Sequence, residues 1–144
     1  MARLDPYLNF AGNTEEAFEF YRSVFGGEFT AVMRFGEMPG CDEMQLSEED
    51  KGKIMHISLP VGNAILMATD SLESMGQKLD VGNNSHLSFS PDSREEADRV
   101  FAALADGGKV HMPLQDMFWG DYWGSLTDKF GVNWMVNFAQ SPTN

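Results

Sequence analysis

Histidine is the side chain best suited to proton transfer near neutral pH, and this 144-residue chain has three. His86 lies in a run that alternates with apolar residues, so it shares one face of a predicted strand with Ser88. At that position His86 has two possible roles. It is either an acid or base that acts on a substrate, or a structural residue that fills space and forms hydrogen bonds within the protein. His56 occurs in a similar run and is a weaker candidate, whereas we expect His111 to be exposed or structural.

Methionines and aromatic rings are the candidate walls of a binding site. The chain contains 10 methionines and is 12% aromatic, a combination that fills irregular cores or lines apolar ligand cavities. Met67 and Met135 lie in predicted strands and pack against either protein or ligand. The segment 116–123, which includes Trp119 and Tyr122, is predicted to be a loop that covers a core edge, meets a dimer partner or closes over a ligand.

The strand that carries Met135 indicates which face would meet a ligand. Met135 alternates with Trp134 and Val136, whose continuous apolar face must lie under a helix. The opposite face mixes Met, His, Ser and Asn, which suits a pocket with apolar walls and a few polar groups. The predicted ligand-binding residues are His56, Met67, His86, Ser88, Trp119, Tyr122 and Met135.

One helix pattern occurs twice in the chain. Asn13 is placed to cap a helix over 14–25, with Glu16 as its capping-box partner. The same pattern returns at 93–106, roughly eighty residues later, which indicates an internal repeat. Each helix follows one predicted strand and precedes three, so the order is βαβββ twice. The strands are predicted at 4–10, 28–35, 53–59, 64–69, 85–90, 109–114, 124–128 and 132–139.

The repeat predicts an α+β fold in a single domain over 1–144. The first module spans 4–69, the linker 70–83 and the second module 84–139. An acidic insertion at 36–52 lies outside the repeat, and we expect it to be a solvated loop or lid rather than a cation site.

Charge and cysteine content exclude several classes of partner. Ten basic against 22 acidic residues give a net charge of −12, which repels nucleic acid and anionic membranes. The single cysteine, Cys41, permits no internal disulfide. The sequence shows no apolar run near the ~20 residues needed to cross a bilayer and no secretory signal, so we expect a cytoplasmic protein.

Three segments of the sequence carry a resemblance to a known family. The opening Pro6–Asn13, the run Phe118–Gly120 and the run Thr127–Trp134 resemble the vicinal oxygen chelate superfamily of glyoxalases, bleomycin-resistance proteins and dioxygenases, in its PhnB-like branch. The resemblance covers nearly the whole chain. It implies eight strands curled into an open cup with the helices outside, a small-molecule site inside and a homodimer, but it fixes no reaction because this fold hosts many.

The resemblance also implies where a metal would bind. Metal-using members hold the ion with up to four His or Glu ligands on the first, fourth, fifth and eighth strands. The corresponding residues here are Pro6, Met67, His86 and Met135, of which only the histidine is a good donor for the usual divalent ions. We therefore expect no metal site and no cofactor.

These observations leave three functional hypotheses. The favoured one is a metal-independent small-molecule-binding protein, with no nucleic-acid or membrane partner. The alternative is an enzyme of lyase, isomerase or transferase type that acts on a small carbonyl or thiol substrate with His86 as acid or base. The third is a dimer that fills its own cup and serves in protein interaction.

Overall fold

A computed structural model describes residues 2–140 of the chain as three helices and two four-stranded mixed sheets. It separates into two compact units, the first ending at Asp80 and the second beginning at Val81. This arrangement confirms the predicted α+β class. Over the described residues, no helix combines the length and apolar character needed to cross a membrane.

The first unit has strands in the order β1-β4-β3-β2. Strands β1 and β4 are parallel, and the other neighbours are antiparallel. Its elements are β1 (Tyr7–Phe10), α1 (Thr14–Phe25), β2 (Ala31–Arg34), α2 (Glu48–Lys51), β3 (Ile54–Val61) and β4 (Ala64–Asp70).

The second unit repeats this topology, with strands in the order β5-β8-β7-β6 and a parallel β5–β8 pair. Its elements are β5 (Leu87–Phe89), α3 (Arg94–Ala105), β6 (Lys109–Asp116), β7 (Asp121–Thr127) and β8 (Asn133–Ala139).

Helix α1 begins and ends where its apolar period predicts, but its N-terminus is capped differently. Its buried face is formed by Ala17, Phe18, Tyr21 and Val24. The predicted cap at Asn13 is wrong, because that side chain makes no cap hydrogen bond. Instead, Asp70 Oδ1 accepts hydrogen bonds from the backbone N–H of Gly12 at 3.1 Å and of Thr14 at 3.0 Å. The carboxylate of Asp70, at the end of β4, therefore caps the N-terminus of α1 in place of a residue next to the helix.

Helix α3 is capped as predicted. Ser93 Oγ accepts the backbone N–H of Glu96 at 3.0 Å. The buried face is formed by Ala97, Val100, Phe101 and Leu104. Ser93 and Asp106 flank this helix as its caps, so the helical residues are one fewer at each end than predicted.

The predicted loop over 116–123 is wrong. Asp116 ends β6 and Tyr122 and Trp123 belong to β7, so only 117–120 remain as a turn. The turn closes with a hydrogen bond from the Met117 N–H to the carbonyl oxygen of Asp121, at 2.8 Å. Strand pairing satisfies the backbone polar groups of this ring-rich segment, and period-two alternation separates its side chains onto two faces.

The acidic insertion is more ordered than the solvated loop that we predict from its charge. It contains α2 and two short 3-10 turns, and Leu46 from this segment packs with Phe35 and Leu72 in a small buried cluster. Ser74 Oγ donates to Asp50 Oδ2 at 2.8 Å, which ties the insertion to the chain after β4. The apolar cluster explains why so acidic a segment folds back onto the unit.

Candidate functional site

Each sheet has one face that packs against its helix. In the first unit the Phe10 ring meets Phe18 of α1 edge to face, with 6.5 Å between ring centroids. In the second unit Tyr122 donates a hydrogen bond to Asp98 of α3. We call the opposite side of each sheet its distal face, and the pairing register assigns residues to it because directly paired residues share a face.

The distal face of the first sheet has Met67 near its centre. Met67 pairs with Tyr7 on one side and with Ser58 on the other. On the neighbouring pair of strands, Met33 of β2 pairs with His56 of β3. The same registers give the full set: Tyr7, Asn9, Ala31, Met33, His56, Ser58, Pro60, Ile65, Met67 and Thr69.

Two of these residues form a hydrogen-bonded pair. The Tyr7 hydroxyl lies 3.2 Å from His56 Nδ1, and the two rings lie 5.7 Å apart between centroids at an interplanar angle of 33°. Burial raises the pKa of Tyr7, and a hydrogen bond with the Thr69 side chain opposes that rise. The arrangement holds the imidazole of His56 on the distal face, next to Met33.

The distal face of the second sheet has Met135 near its centre. Met135 pairs with Ser88 of β5 and with Ser125 of β7. Trp123 Nε1 donates to Met135 Sδ at 3.3 Å, so an indole lies against the thioether. Ser88 and Met135 are therefore brought together, as the alternation predicts.

The other two histidines differ in their surroundings. His86 precedes β5 rather than lying within it, and it is exposed. His111 on β6 is also exposed, and its Nε2 lies 2.7 Å from Thr127 Oγ1. The imidazole of His56 pairs across the sheet with a methionine, Met33.

Tyr122 does not join Met135, because it lies on the helix side of its sheet. It pairs with Phe138, which lies on the apolar face of β8 together with Val136 and Trp134. The hydrogen bond to Asp98 and burial raise the pKa of Tyr122. The Arg94 guanidinium lies 3.8 Å above the Tyr122 ring centroid, and it also binds Asp116 Oδ1 at 2.9 Å. Tyr122 thus holds α3 to the start of β7.

Trp119 lies in the turn between β6 and β7. Its side chain is 52% exposed and that of Phe118 is 97% exposed. The two rings meet edge to face, with their centroids 4.9 Å apart. The turn therefore displays both rings.

The side chains around the two central methionines do not fit a divalent metal centre. Pro6, predicted to share a face with Met67, precedes β1, and Tyr7 takes that place in the register. Within residues 2–140, no three His, Cys, Asp or Glu side chains come together as a group that could hold a metal ion. Thioethers, hydroxyls and one imidazole are a poor donor set for zinc, manganese or iron.

Two aromatic residues of the distal faces, Tyr7 and Trp123, were not predicted from the sequence. Tyr7 is missed because the family resemblance points to Pro6 on the first strand, whereas the alternation of Leu8 and Phe10 puts Tyr7 on the opposite face. Trp123 is missed because its segment reads as a loop. Its alternation with Tyr122 is the signal that identifies a strand.

Comparison with known proteins gives consistent matches along almost the whole chain. Residues 3–136 match the model of the Glyoxalase/Bleomycin resistance protein/Dioxygenase superfamily. Protein YjdN of Escherichia coli (strain K12) is 35% identical, over 97% of this chain and 98% of that protein.

Solved structures agree with this match. Protein PA1353 from Pseudomonas aeruginosa superposes with a TM-score of 0.85 and 40% identity, over 98% of this chain and 100% of that one. The PhnB protein from Bacillus cereus gives a TM-score of 0.76 and 27% identity, over 96% of this chain and 100% of that one.

Proposed function

Because the chain belongs to the Glyoxalase/Bleomycin resistance protein/Dioxygenase superfamily, whose fold serves several chemistries, we propose a function from its own side chains: it is a metal-independent small-molecule-binding protein. Each unit by itself offers a contact surface for a ligand on its distal face, around Met67 in the first unit and around Met135 in the second. The observation that carries this proposal is the placement of a thioether beside an aromatic ring and a hydroxyl on each distal face.

Physical chemistry supports binding at such a face. A thioether adapts its shape to an apolar ligand, and a neighbouring ring offers a flat surface for stacking. The few polar groups fix the orientation of the ligand. Two of the predicted residues take other roles in this proposal: Tyr122 positions α3, and Trp119 lies in the exposed turn.

Methionine-methyl NMR with metal analysis tests this function. We expect untagged protein to contain well under one equivalent of divalent metal. We expect some members of a library of small aromatic compounds to shift the methyl resonance of Met67 or Met135, equally with and without EDTA. The methyl of Met75, exposed in the 3-10 turn Glu73–Met75, is the control and should not move. A stoichiometric metal whose removal abolishes binding would contradict the proposal.

An enzyme remains the second candidate, and one observation favours it. Proton transfer needs an imidazole held by a partner group, and the Tyr7 hydroxyl lies within hydrogen-bond distance of His56. His56 therefore replaces His86 as the acid or base of this alternative, acting on a small carbonyl or thiol substrate. Turnover of such a substrate by the native protein, lost in His56→Gln, would favour the enzyme.

We further propose that the chain forms a homodimer through the turn at 117–120. Phe118 and Trp119 expose their rings there, and Met112 on the adjoining edge strand is 42% exposed. A protein with net charge −12 repels its own copy, so its copies meet most readily at an apolar patch.

Sedimentation velocity at micromolar concentration tests the dimer. We expect the native protein to sediment at twice the mass of the chain and Phe118→Ser to shift toward the monomer. Val81→Ser, which removes another exposed apolar side chain, is the control and should leave the dimer intact. A native protein that is monomeric throughout would contradict the proposal.

A further inference from the structure

On the distal face of the first sheet, Tyr7 and His56 form a hydrogen-bonded pair. The Tyr7 hydroxyl lies 3.2 Å from His56 Nδ1, and its O–H is a donor for that nitrogen. A neutral imidazole that accepts at Nδ1 carries its proton on Nε2. In this tautomer His56 presents an N–H donor to a ligand.

The side chains of this face include no acidic residue, lysine or arginine. None of the ten distal-face side chains of the first sheet is Asp, Glu, Lys or Arg, although 22% of the chain is charged. An ion brought against such a face loses water and finds no opposite charge in return. The face therefore favours an uncharged ligand.

The shape of the pair suits a flat ligand. Tyr7 is 46% exposed and Met33 is 41% exposed, so a ring and a thioether are both accessible beside Met67. Rings stack on such side chains at low entropic cost.

We infer that the distal face of the first sheet binds an uncharged, planar organic molecule with a carbonyl or phenol oxygen that accepts a hydrogen bond from His56 Nε2. The inference rests on the proposed function and narrows its ligand class. Tyr7 fixes the imidazole tautomer and, with Met67, contacts the ring of the ligand.

A matched set of probes tests the ligand class. Coumarin is planar, uncharged and carries a carbonyl, whereas N-methylquinolinium and 2-naphthoate have similar rings with opposite charges. We expect coumarin to shift the methyl resonances of Met33 and Met67 and to bind about tenfold more tightly than either ion. Equal or tighter binding of either ion at these methyls would overturn the inference and leave the proposed function standing.

Variants test the hydrogen bond. We expect His56→Leu to weaken coumarin binding about tenfold, as the loss of one desolvated hydrogen bond does, and His56→Gln, which keeps an N–H donor, to restore part of it. Tyr7→Phe should weaken binding severalfold. Val32→Thr changes the helix side of the same sheet and should bind as the native protein does.

The remaining outcomes separate the two proposals. Native-like binding by His56→Leu, or shifts confined to Met135, would overturn the inference but leave the proposed function standing. No shift of the Met33, Met67 or Met135 methyls, with any probe or library compound, would overturn both.

Discussion

Replacement of Asp70 by alanine is expected to lower the free energy of unfolding by about 4 kcal/mol. The carboxylate is 2% exposed and accepts from four donors. Oδ1 accepts from Gly12 N, from Thr14 N and, at 2.6 Å, from Thr14 Oγ1, and Oδ2 accepts from Ile54 N at 2.8 Å. Alanine leaves all four donors without an acceptor, and the three on Thr14 and Ile54, which are buried, carry their full desolvation cost.

Urea unfolding followed by circular dichroism measures this effect. Asp70→Asn keeps one oxygen but turns an amide N–H₂ toward a donor, so we expect a smaller loss of about 2 kcal/mol. Asp80→Ala removes an exposed carboxylate and should change stability by less than about 0.5 kcal/mol. An Asp70→Ala midpoint equal to that of the native protein would show that the cap is dispensable.

Gly124→Ala should cost about 3 kcal/mol, at the upper end of the usual cost of overpacking. A Cβ on Gly124 would lie 2.8 Å from the backbone nitrogen of Leu114 and 2.8 Å from Phe101 Cε2. It would also lie 3.0 Å from the carbonyl oxygen of Met112. Real Cβ atoms do not approach backbone this closely, so β6 and α3 must both move away from β7.

Thermal unfolding compares this variant with Gly52→Ala. Gly52 has φ −80°, and a Cβ there would meet its nearest neighbour at an ordinary 3.5 Å. We expect the control to unfold close to the native temperature. If Gly124→Ala also unfolds close to the native temperature, β6 and β7 can separate enough at Gly124 to accommodate a methyl group.

Local patterns in the sequence predict the helices well. The apolar period of α1 and the terminal glycine at Gly26 are both contained within the segment, and its bounds are confirmed. The superfamily resemblance is likewise confirmed by the family match and by YjdN. The helix signals need no information from elsewhere in the chain.

Features that depend on distant residues were predicted less well. The Asn13 cap is displaced by Asp70, whose position near Thr14 depends on the parallel β1–β4 pairing. The same pairing sets the register that brings Tyr7, rather than Pro6, beside Met67. Strand pairing across such separations leaves no local pattern, so single-residue slips in register change which side chains face a ligand.

Ring density misled the prediction of 116–123. The segment was predicted to be a loop although so many rings are unusual in one, and Tyr122 and Trp123 in fact alternate between the two faces of β7. The strand faces were therefore predicted in part: Met67 and Met135 lie on the faces away from the helices, whereas Trp123 was assigned to a loop.

The long-range cap on α1 also sets the order in which the first unit can fold. The acceptor for Thr14 lies 56 residues along the chain, so the N-terminus of α1 is satisfied only after β4 has paired with β1. The β3–β4 hairpin is local and can form early, whereas the parallel β1–β4 pair must close a long loop. Helix α1 packs mainly on β3, so the early hairpin can cover its apolar face, whereas its N-terminal N–H groups lack their Asp70 acceptor until the late closure.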